Sequence, residues 1–539
     1  MSWTSRNGIE IRDLVPAELR AHWVEQGLCP DRPIYDLFTD RVRSHPGREA
    51  VIDGEVTLTY QDLDQAVRRV AAALSADGFG QGDIIGIRLP NGWRMVVAEL
   101  AVAAIGAVVL AYPGGSGTKD TISLLGRSRA AAGIFSDPAD AEVAAGLPTL
   151  RAAHVFDDLD SGADWHPPEL DPEAPVRILV TSGSQSDPKM IAYSHNAMAG
   201  GRANYVRALS GGDEPMRALA LMKLASSYGS LVTHVSIAAL GATVVLQDRF
   251  DAGETLRAVT RHRPTHLFGV PTMLRRLTEH PAEADEDLSS LRAVVSSGAP
   301  LSDVTARACT RRFAARVITV YGSSDGINCH TALTGTGEGT GTGSPDPEVA
   351  EIRIVDEVGR DAGPGEAGEI WARGPMTPLS YVAATELDER HRTRGGWVRS
   401  GDRGVLDELG RLHVLGRMDN TVLRGGFQIS PAEVEREIGA HPGVVDVACV
   451  PVPDDELGQR LCACISQAAG TEDLTLDEVT AFLEGERGLE RRKLPEFLLR
   501  LPELPLAPTG KVCRRTVTAI AAERFAADQP AMSSTSSLP

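Results

Sequence analysis

Apolar positions between Asp62 and Leu74 recur at helical spacing, whereas Ile84 to Leu89 forms a short, nearly continuous apolar run. The first pattern predicts a helix and the second a buried strand. Met95 to Ile105 then predicts a helix, Gly106 divides the run, and Ala107 to Ala111 predicts another strand. Alternation of this kind up to about residue 175 argues for a layered α/β sheet. The pattern resumes beyond a loop at 181–189 with a helix near 197–209, a strand near 242–247, a helix over 252–262 and a strand over 265–269. A helix over 271–279 and strands over 292–296 and 316–320 complete this region. From about Glu351 short strands, such as Glu351 to Val355 and Glu369 to Ala372, alternate with Gly and Asp turns, the pattern of a smaller β-rich subdomain. A second break near Gly416 opens an α+β segment that runs to about Phe525. Within it Pro431 to Ile438 is expected to be a helix, with Ser430 as N-cap and Pro431 at the first position.

The expected organisation is therefore a large layered N-terminal α/β domain with its β-rich subdomain over 1–418 and a small α+β C-terminal domain over 419–525. The Ser/Pro-rich stretch over 526–539 is expected to be a disordered tail. A length of 539 residues agrees, because one hydrophobic core rarely serves so long a chain. Hydrophobic content of 42% with 24% charged residues is that of an ordinary globular protein. The formal charge of −19 argues against nucleic acid or an anionic membrane as the main partner. The apolar run from Met95 to Tyr112 is interrupted by Glu99, and residues 1–10 carry no apolar core, so neither a membrane span nor a secretory signal is expected. The seven cysteines show no zinc spacing or disulfide framework; Cys462 and Cys464 share an alternating run that reads as strand. A cytoplasmic enzyme is the expectation.

The most informative stretch is Thr181-Ser182-Gly183-Ser184-Gln185-Ser186-Asp187-Pro188-Lys189, set between the apolar extended runs Arg177 to Val180 and Met190 to Tyr193. Small residues let backbone N–H groups and hydroxyls close around phosphate oxygens, and Lys189 adds a positive charge. No helix pattern follows at once, unlike the Gly-x4-Gly-Lys-Ser loop. The chain has only 5 lysines (119, 189, 223, 493 and 511) against 49 arginines. Where a bare positive charge suffices the sequence uses Arg, so its retained lysines point to a need for a compact ammonium rather than a planar fork.

Together with four later motifs, this loop resembles the AMP-forming acyl-adenylate superfamily, which includes acyl-CoA synthetases, adenylation domains and luciferases. Tyr321-Gly322-Ser323-Ser324-Asp325 resembles the family's Tyr-Gly-x-Thr-Glu, and Ser400-Gly401-Asp402 its Thr-Gly-Asp. Gly416-Arg417-Met418-Asp419-Asn420 resembles the hinge motif, and Pro508-Thr509-Gly510-Lys511 the C-terminal lysine motif. The motifs fall in family order from about residue 30 to 520.

The resemblance implies ATP as substrate, held by Thr181, Ser182, Gly183, Ser184, Tyr321, Gly322, Ser324, Asp402 and Arg417. It implies that Tyr321 stacks on adenine, that Asp402 takes both ribose hydroxyls, and that Asp325 binds Mg2+. Lys511, Asp325 and Lys189 would be the catalytic groups. A carboxylate suits a vicinal diol because it accepts two hydrogen bonds at once. Asp419 would be the hinge of a mobile C-terminal domain, and Gly425 and Gly426 would leave room for a pantetheine arm. Departures are Ser186 where the family has Gly, and Asp325, one methylene shorter than the usual Glu.

The implied reaction is attack of a carboxylate on the α-phosphorus of ATP, then acyl transfer to a thiol, with CoA ahead of a separate carrier protein. An AMP-forming ligase using a nitrogen nucleophile or nitrite is a further alternative, in a biosynthetic, secondary-metabolic setting. The segment Leu221 to Gly229 contains no acid to pair an α-ammonium, which favours an aryl or cyclic acid over an α-amino acid. Ser227, Tyr228, Ser297, Gly298, Val320 and Ser323 are the candidate acid pocket, with Tyr228 suited to stacking. His195, His330 and Cys329 fit structural roles better than catalytic ones. A non-catalytic nucleotide-binding protein is the reading of another class, and the joint presence of Lys189, Asp402, Arg417 and Lys511 counts against it.

Overall fold

A computed structural model describes residues 2–112, 117–181, 188–212, 214–335, 341–418, 421–467, 471–507 and 511–526. Ser182, Gly183, Ser184, Asp419 and the tail beyond 526 lie outside the described residues. Two compact units result: one comprises residues 1–301, 305–400 and 404–413, the other 302–304, 401–403 and the chain from Val414 onward.

In the first unit, β1 (Ser2–Thr4) and β2 (Glu10–Arg12) pair antiparallel. The hairpin of β3 (Glu49–Asp53) and β4 (Val56–Thr59) leads into the helix Tyr60–Ala76. That helix starts where it does because Thr59 and Asp62 form a reciprocal capping box. Strands β5 (Ile84–Arg88), β6 (Val108–Ala111), β7 (Ala132–Phe135) and β8 (Ala152–Val155) follow, then the hairpin of β9 (Pro175–Val180) and β10 (Met190–Ser194). They form one sheet in the order β10-β9-β6-β5-β7-β8. The helix Trp93–Ala104 between β5 and β6 is buried on nearly every face, which is why its sequence lacks a polar stripe.

A second sheet of eight strands holds β11 (Arg217–Ala220), β12 (Thr243–Leu246), β13 (His266–Gly269), β14 (Ala293–Ser297), β15 (Arg316–Gly322) and β16 (Asn328–His330), with β3 and β4. Its order is β16-β15-β14-β13-β11-β12-β3-β4, parallel from β15 to β3 with an antiparallel strand at each edge. Both sheets contain parallel and antiparallel pairs. The expected β-rich region is a four-stranded sheet in the order β17 (Glu351–Val355), β18 (Gly368–Arg373), β19 (Val398–Leu406) and β20 (Leu412–Arg417), with β17 and β18 antiparallel.

The second unit carries β21 (Val422–Arg424), β22 (Phe427–Ile429), β23 (Val444–Asp454), β24 (Gly458–Gln467) and β25 (Phe497–Arg500) in one sheet. Helix Pro431–Ile438 opens on Ser430, whose Oγ accepts from the Glu433 N–H and donates to the Leu415 carbonyl at 2.6 Å. Cys462 and Cys464 lie buried on one face of β24.

The helix expected over 197–209 is interrupted. It is a turn of α-helix at His195–Ala197, a π-helical segment at Met198–Arg202 and an α-helix at Ala203–Ser210. The cause is the Gly200-Gly201 pair. A Cβ on Gly201 would lie 2.1 Å from the Met376 nitrogen, and one on Gly200 2.6 Å from the Cys29 sulfur. Neighbouring backbone thus occupies the space a regular helix would fill. Between β14 and β15 the structure adds a helix, Asp303–Phe313, that the sequence pattern did not suggest.

Candidate active site

Strands β9 and β10 pair from Val180 and Met190 outward, so the Ser/Gly-rich loop closes a hairpin. Its two described ends are pinned together. The Thr181 N–H donates to the Lys189 carbonyl at 2.9 Å, the Lys189 N–H to Thr181 Oγ1 at 3.3 Å, and Arg127 to the Pro188 carbonyl at 2.9 Å. A strand rather than a helix follows the loop, as the sequence indicated.

The remaining first-unit candidates gather at the carboxyl ends of parallel strands, the place where open α/β sheets bind ligands. Ser297 ends β14, Gly298 follows it at φ +92°, and Val320, Tyr321 and Gly322 end β15. Ser297 Oγ donates to the Val320 carbonyl at 3.2 Å, tying the two strand ends. After β15 the chain turns tightly: the Asp325 N–H donates to Ser323 Oγ at 3.2 Å, and the Ser323 N–H to the Ile327 carbonyl at 3.0 Å. The Ser324 carbonyl accepts the Tyr193 hydroxyl of β10 at 2.8 Å, which fixes this turn to the β9–β10 hairpin.

Ser227 and Tyr228 follow β11. The Tyr228 hydroxyl donates to the Val295 carbonyl at 3.3 Å, and its ring meets Phe268 edge-on at 6.3 Å. Desolvation raises its pKa well above that of a free phenol. Behind this segment Arg177 pairs with Glu99 at 2.7 Å, approaches His234 Nδ1 at 3.2 Å and donates to the Leu224 carbonyl at 3.2 Å. All three charged or titratable side chains are fully buried. Burial, reinforced by Arg177, keeps His234 neutral well below the ordinary histidine value.

Sequence reasoning missed Tyr381. Residues 379–382 run antiparallel beside β10 and meet it in an isolated bridge, with Tyr381 opposite Ile191. The Leu379 and Val382 N–H groups donate at 2.8 Å to the carbonyls of Ala192 and Met190, and Ala192 returns a bond to Ser380. The Tyr381 hydroxyl donates to the Asp325 carboxylate, and Lys189 Nζ lies 6.0 Å from the Tyr381 ring centroid. Burial and the adjacent Asp325 push the phenol pKa far above 10, so it remains a donor. His391 lies 6.0 Å from the same ring; burial and then the Lys189 charge lower its pKa.

His195 accepts the Ile34 N–H at Nδ1, and burial lowers its pKa to about 3, a structural role. His330 is buried against Tyr205, and the Cys329 thiol donates to the Gly343 carbonyl.

In the second unit Asp402 and Arg417 form an ion pair at 3.3 Å. Gly401, at φ +70°, lets the backbone turn there, and its carbonyl accepts the Met418 N–H at 2.8 Å. Gly425 and Gly426 form the two-residue turn between β21 and β22 at φ +55° and +83°, the signs a type I′ hairpin requires. Lys511 is exposed to solvent, and the protein crowded around its ammonium still lowers its pKa from the ordinary lysine value by desolvation.

The donor set suits magnesium. This hard cation is commonly held by one or two carboxylates, with substrate phosphates and water completing its shell. Asp325 offers a half-buried carboxylate beside the turn. Among the described residues no group of three or more His, Cys, Asp or Glu is placed to hold a metal, and no helix is long and apolar enough to cross a membrane.

Triostin synthetase I of Streptomyces triostinicus is 32% identical over 94% of this chain and 98% of its own. A salicylyl-CoA synthase / salicylate adenylyltransferase of a Streptomyces species is 30% identical over 93% and 96%. The solved structure of amide bond synthetase McbA from Marinactinospora thermotolerans superposes with a TM-score of 0.79 at 28% identity, covering 91% of this chain and 100% of that one. The sequence model "AMP-binding enzyme" matches residues 38–382 and "AMP-binding enzyme C-terminal domain" residues 433–511, so this chain belongs to the AMP-binding enzyme family.

Proposed function

We infer that this protein is an AMP-forming acid–thiol ligase. It activates a carboxylic acid with ATP to an acyl-adenylate and passes the acyl group to a thiol, CoA in the first instance. The observation that carries this reading is the gathering of Lys189, Tyr381 and Asp325 beside a hairpin loop rich in Ser and Gly.

A carboxylate is a poor electrophile, and its attack on the α-phosphorus of ATP brings two anions together. The chain's work is therefore positioning and charge neutralisation. Lys189 and the Ser/Gly loop, with Thr181, Ser182, Gly183 and Ser184, hold the phosphates. Tyr321, Gly322 and Ser324 hold the adenine side, and Asp402 and Arg417 the ribose. Asp325 would hold Mg2+, which would neutralise phosphate charge. Lys511 supplies the cation that meets the acid's carboxylate, Asp419 serves as hinge, and Gly425 and Gly426 line the path of the thiol. No side-chain nucleophile is needed.

The acid is aryl or cyclic. Tyr228, packed edge-on against Phe268, suits a flat ring, and Ser227, Ser297, Gly298, Val320 and Ser323 would complete the pocket. Glu99, the carboxylate behind the pocket segment, is already matched by Arg177, so an α-ammonium would find no partner there. A cytoplasmic location follows from the co-substrates ATP and CoA. A second reading, transfer to a nitrogen nucleophile, draws support from the likeness to an amide bond synthetase; a carrier protein is the other thiol acceptor.

The test is ATP-dependent pyrophosphate release against aryl, cyclic and short aliphatic acids, each with and without CoA. One acid should trigger release, and a CoA ester should appear when CoA is added. Acid-dependent release that CoA leaves unchanged moves the acceptor to a carrier or an amine. Absence of release with every acid overturns the adenylation reading.

A further inference from the structure

Tyr381 is held from several sides. Its segment is hydrogen-bonded to β10, its N–H donates to Asp388 at 2.9 Å, and Asp388 is in turn paired with Arg12 at 3.3 Å. The buried ring stands between the phosphate-loop lysine and the turn that bears Asp325. A buried phenol needs an acceptor, and any backbone carbonyl would serve. Here the acceptor is the one carboxylate expected to take the metal.

We propose that Tyr381 is a positioning residue for the ATP half-reaction. Its hydroxyl fixes the Asp325 carboxylate by occupying one oxygen and leaving the other for the cation, and its ring face carries the Lys189 ammonium. This rests on the AMP-forming reading above. An Asp carboxylate rotates broadly about its last bond, and a donor on one oxygen removes that freedom. Such a partner typically tunes metal affinity by about 10- to 100-fold. The shortened acidic side chain makes the fixing donor more consequential, because a shorter arm has fewer ways to regain the metal if it turns away. The aromatic face adds a weak attraction for an ammonium about 6 Å away.

Tyr381→Phe separates the two parts, since it deletes the hydroxyl and keeps the ring; Tyr381→Leu deletes both. Mn2+ replaces Mg2+ as the probe, and its binding to the protein with a non-hydrolysable ATP analogue is followed by the free-ion electron paramagnetic resonance signal. Tyr381→Phe should weaken Mn2+ binding about tenfold, leave metal-free binding of the analogue within about twofold, and leave the melting temperature near that of the parent. Tyr381→Leu should in addition weaken the metal-free analogue. In an Asp325→Asn background, Tyr381→Phe should add almost nothing, because the two residues act as one unit. An unchanged Mn2+ midpoint in Tyr381→Phe overturns the proposal, as does a full additional loss in the Asp325→Asn background. A purely structural tyrosine would lower the melting temperature without moving the Mn2+ midpoint. If the parent chain binds Mn2+ with the analogue yet releases pyrophosphate with no acid, the functional reading fails while the Tyr381 result still stands or falls on the metal titration.

Discussion

The Arg202 guanidinium donates to the Ser227 carbonyl at 2.8 Å while its carbon lies 5.1 Å from the centroid of the Tyr193 ring. Tyr193 in turn donates to Ser324, so one buried arginine joins the candidate acid pocket to the turn at Asp325. The guanidinium also donates to Ser230 Oγ at 2.9 Å. Arg202→Met would take the donor from Ser230 Oγ and leave the Ser227 carbonyl with only the Ser230 hydroxyl, which donates to it at 2.6 Å, at about 1–3 kcal/mol for a group that water cannot reach. The expected outcome is a lower denaturation midpoint and a several-fold higher KM for the acid, with a smaller change for ATP. Steady-state pyrophosphate release at varied acid and varied ATP checks the split; equal changes in both KM values would show that Arg202 acts only on stability.

Lys511 gives a pH prediction. Its pKa is lowered by desolvation, so its cation is lost on raising pH sooner than for an ordinary lysine. If that cation meets the acid's carboxylate, kcat/KM for pyrophosphate release should fall on an alkaline limb that starts below the usual lysine range. Lys511→Arg keeps a charge that does not titrate and should abolish the limb, at a reduced rate because a planar fork replaces a compact ammonium. Lys511→Ala should slow release by about 10²–10³-fold, the scale of a lost preorganised electrostatic contact. Near-normal release by Lys511→Ala would remove the residue from the mechanism.

The buried Glu99–Arg177 pair yields a stability prediction. Neither side chain reaches solvent, and the neighbouring His234 stays neutral. Glu99→Gln would strand the Arg177 charge, costing about 3–5 kcal/mol. Because Arg177 also holds the Leu224 carbonyl, the acid pocket should loosen with it. Urea denaturation of Glu99→Gln and of the double variant Glu99→Gln/Arg177→Met measures this. The double variant should recover part of the loss, since it no longer buries a lone charge.

Much of the first unit was legible because its elements are punctuated locally. Helices Ala252–His262 and Pro271–Glu279 have the bounds their patterns predict: Asp251 caps the first and Pro271 opens the second. Helix Asp303–Phe313 was missed because its buried stripe is Thr305, Cys309 and Phe313, and two of those three do not register as strongly apolar. The π-helical break at Met198–Arg202 depends on Met376 and Cys29, far along the chain. Tyr381 was invisible for the same reason: its segment is set in place only by pairing with β10, and local periodicity carries no trace of that partner. The candidate motifs stand out in the sequence because each concentrates its polar and charged groups within a few residues. The residues that orient them, Arg202, Tyr193 and Tyr381, stand alone in sequence.

Gly425 and Gly426 allow two explanations to be separated by experiment. Their positive φ values are what the hairpin turn needs, so the turn alone accounts for both glycines. At Gly426, however, an added Cβ meets nothing within 4 Å, whereas at Gly425 it would lie 3.2 Å from Leu457. Space at Gly426 is therefore not what packing demands, and the turn can be kept while the space is filled. Gly426→Asn tolerates the left-handed backbone, whereas Gly426→Trp adds bulk and pays a strain of about 1–2 kcal/mol. If the hairpin lines the thiol's path, Gly426→Asn should keep most of both half-reactions. Gly426→Trp should keep acid-dependent pyrophosphate exchange within about threefold and reduce thioester formation by about 10²-fold or more, the scale of a misplaced reactant. Equal losses of exchange and thioester formation in Gly426→Trp, with Gly426→Asn unaffected, would make the glycine a turn residue with no part in acyl transfer.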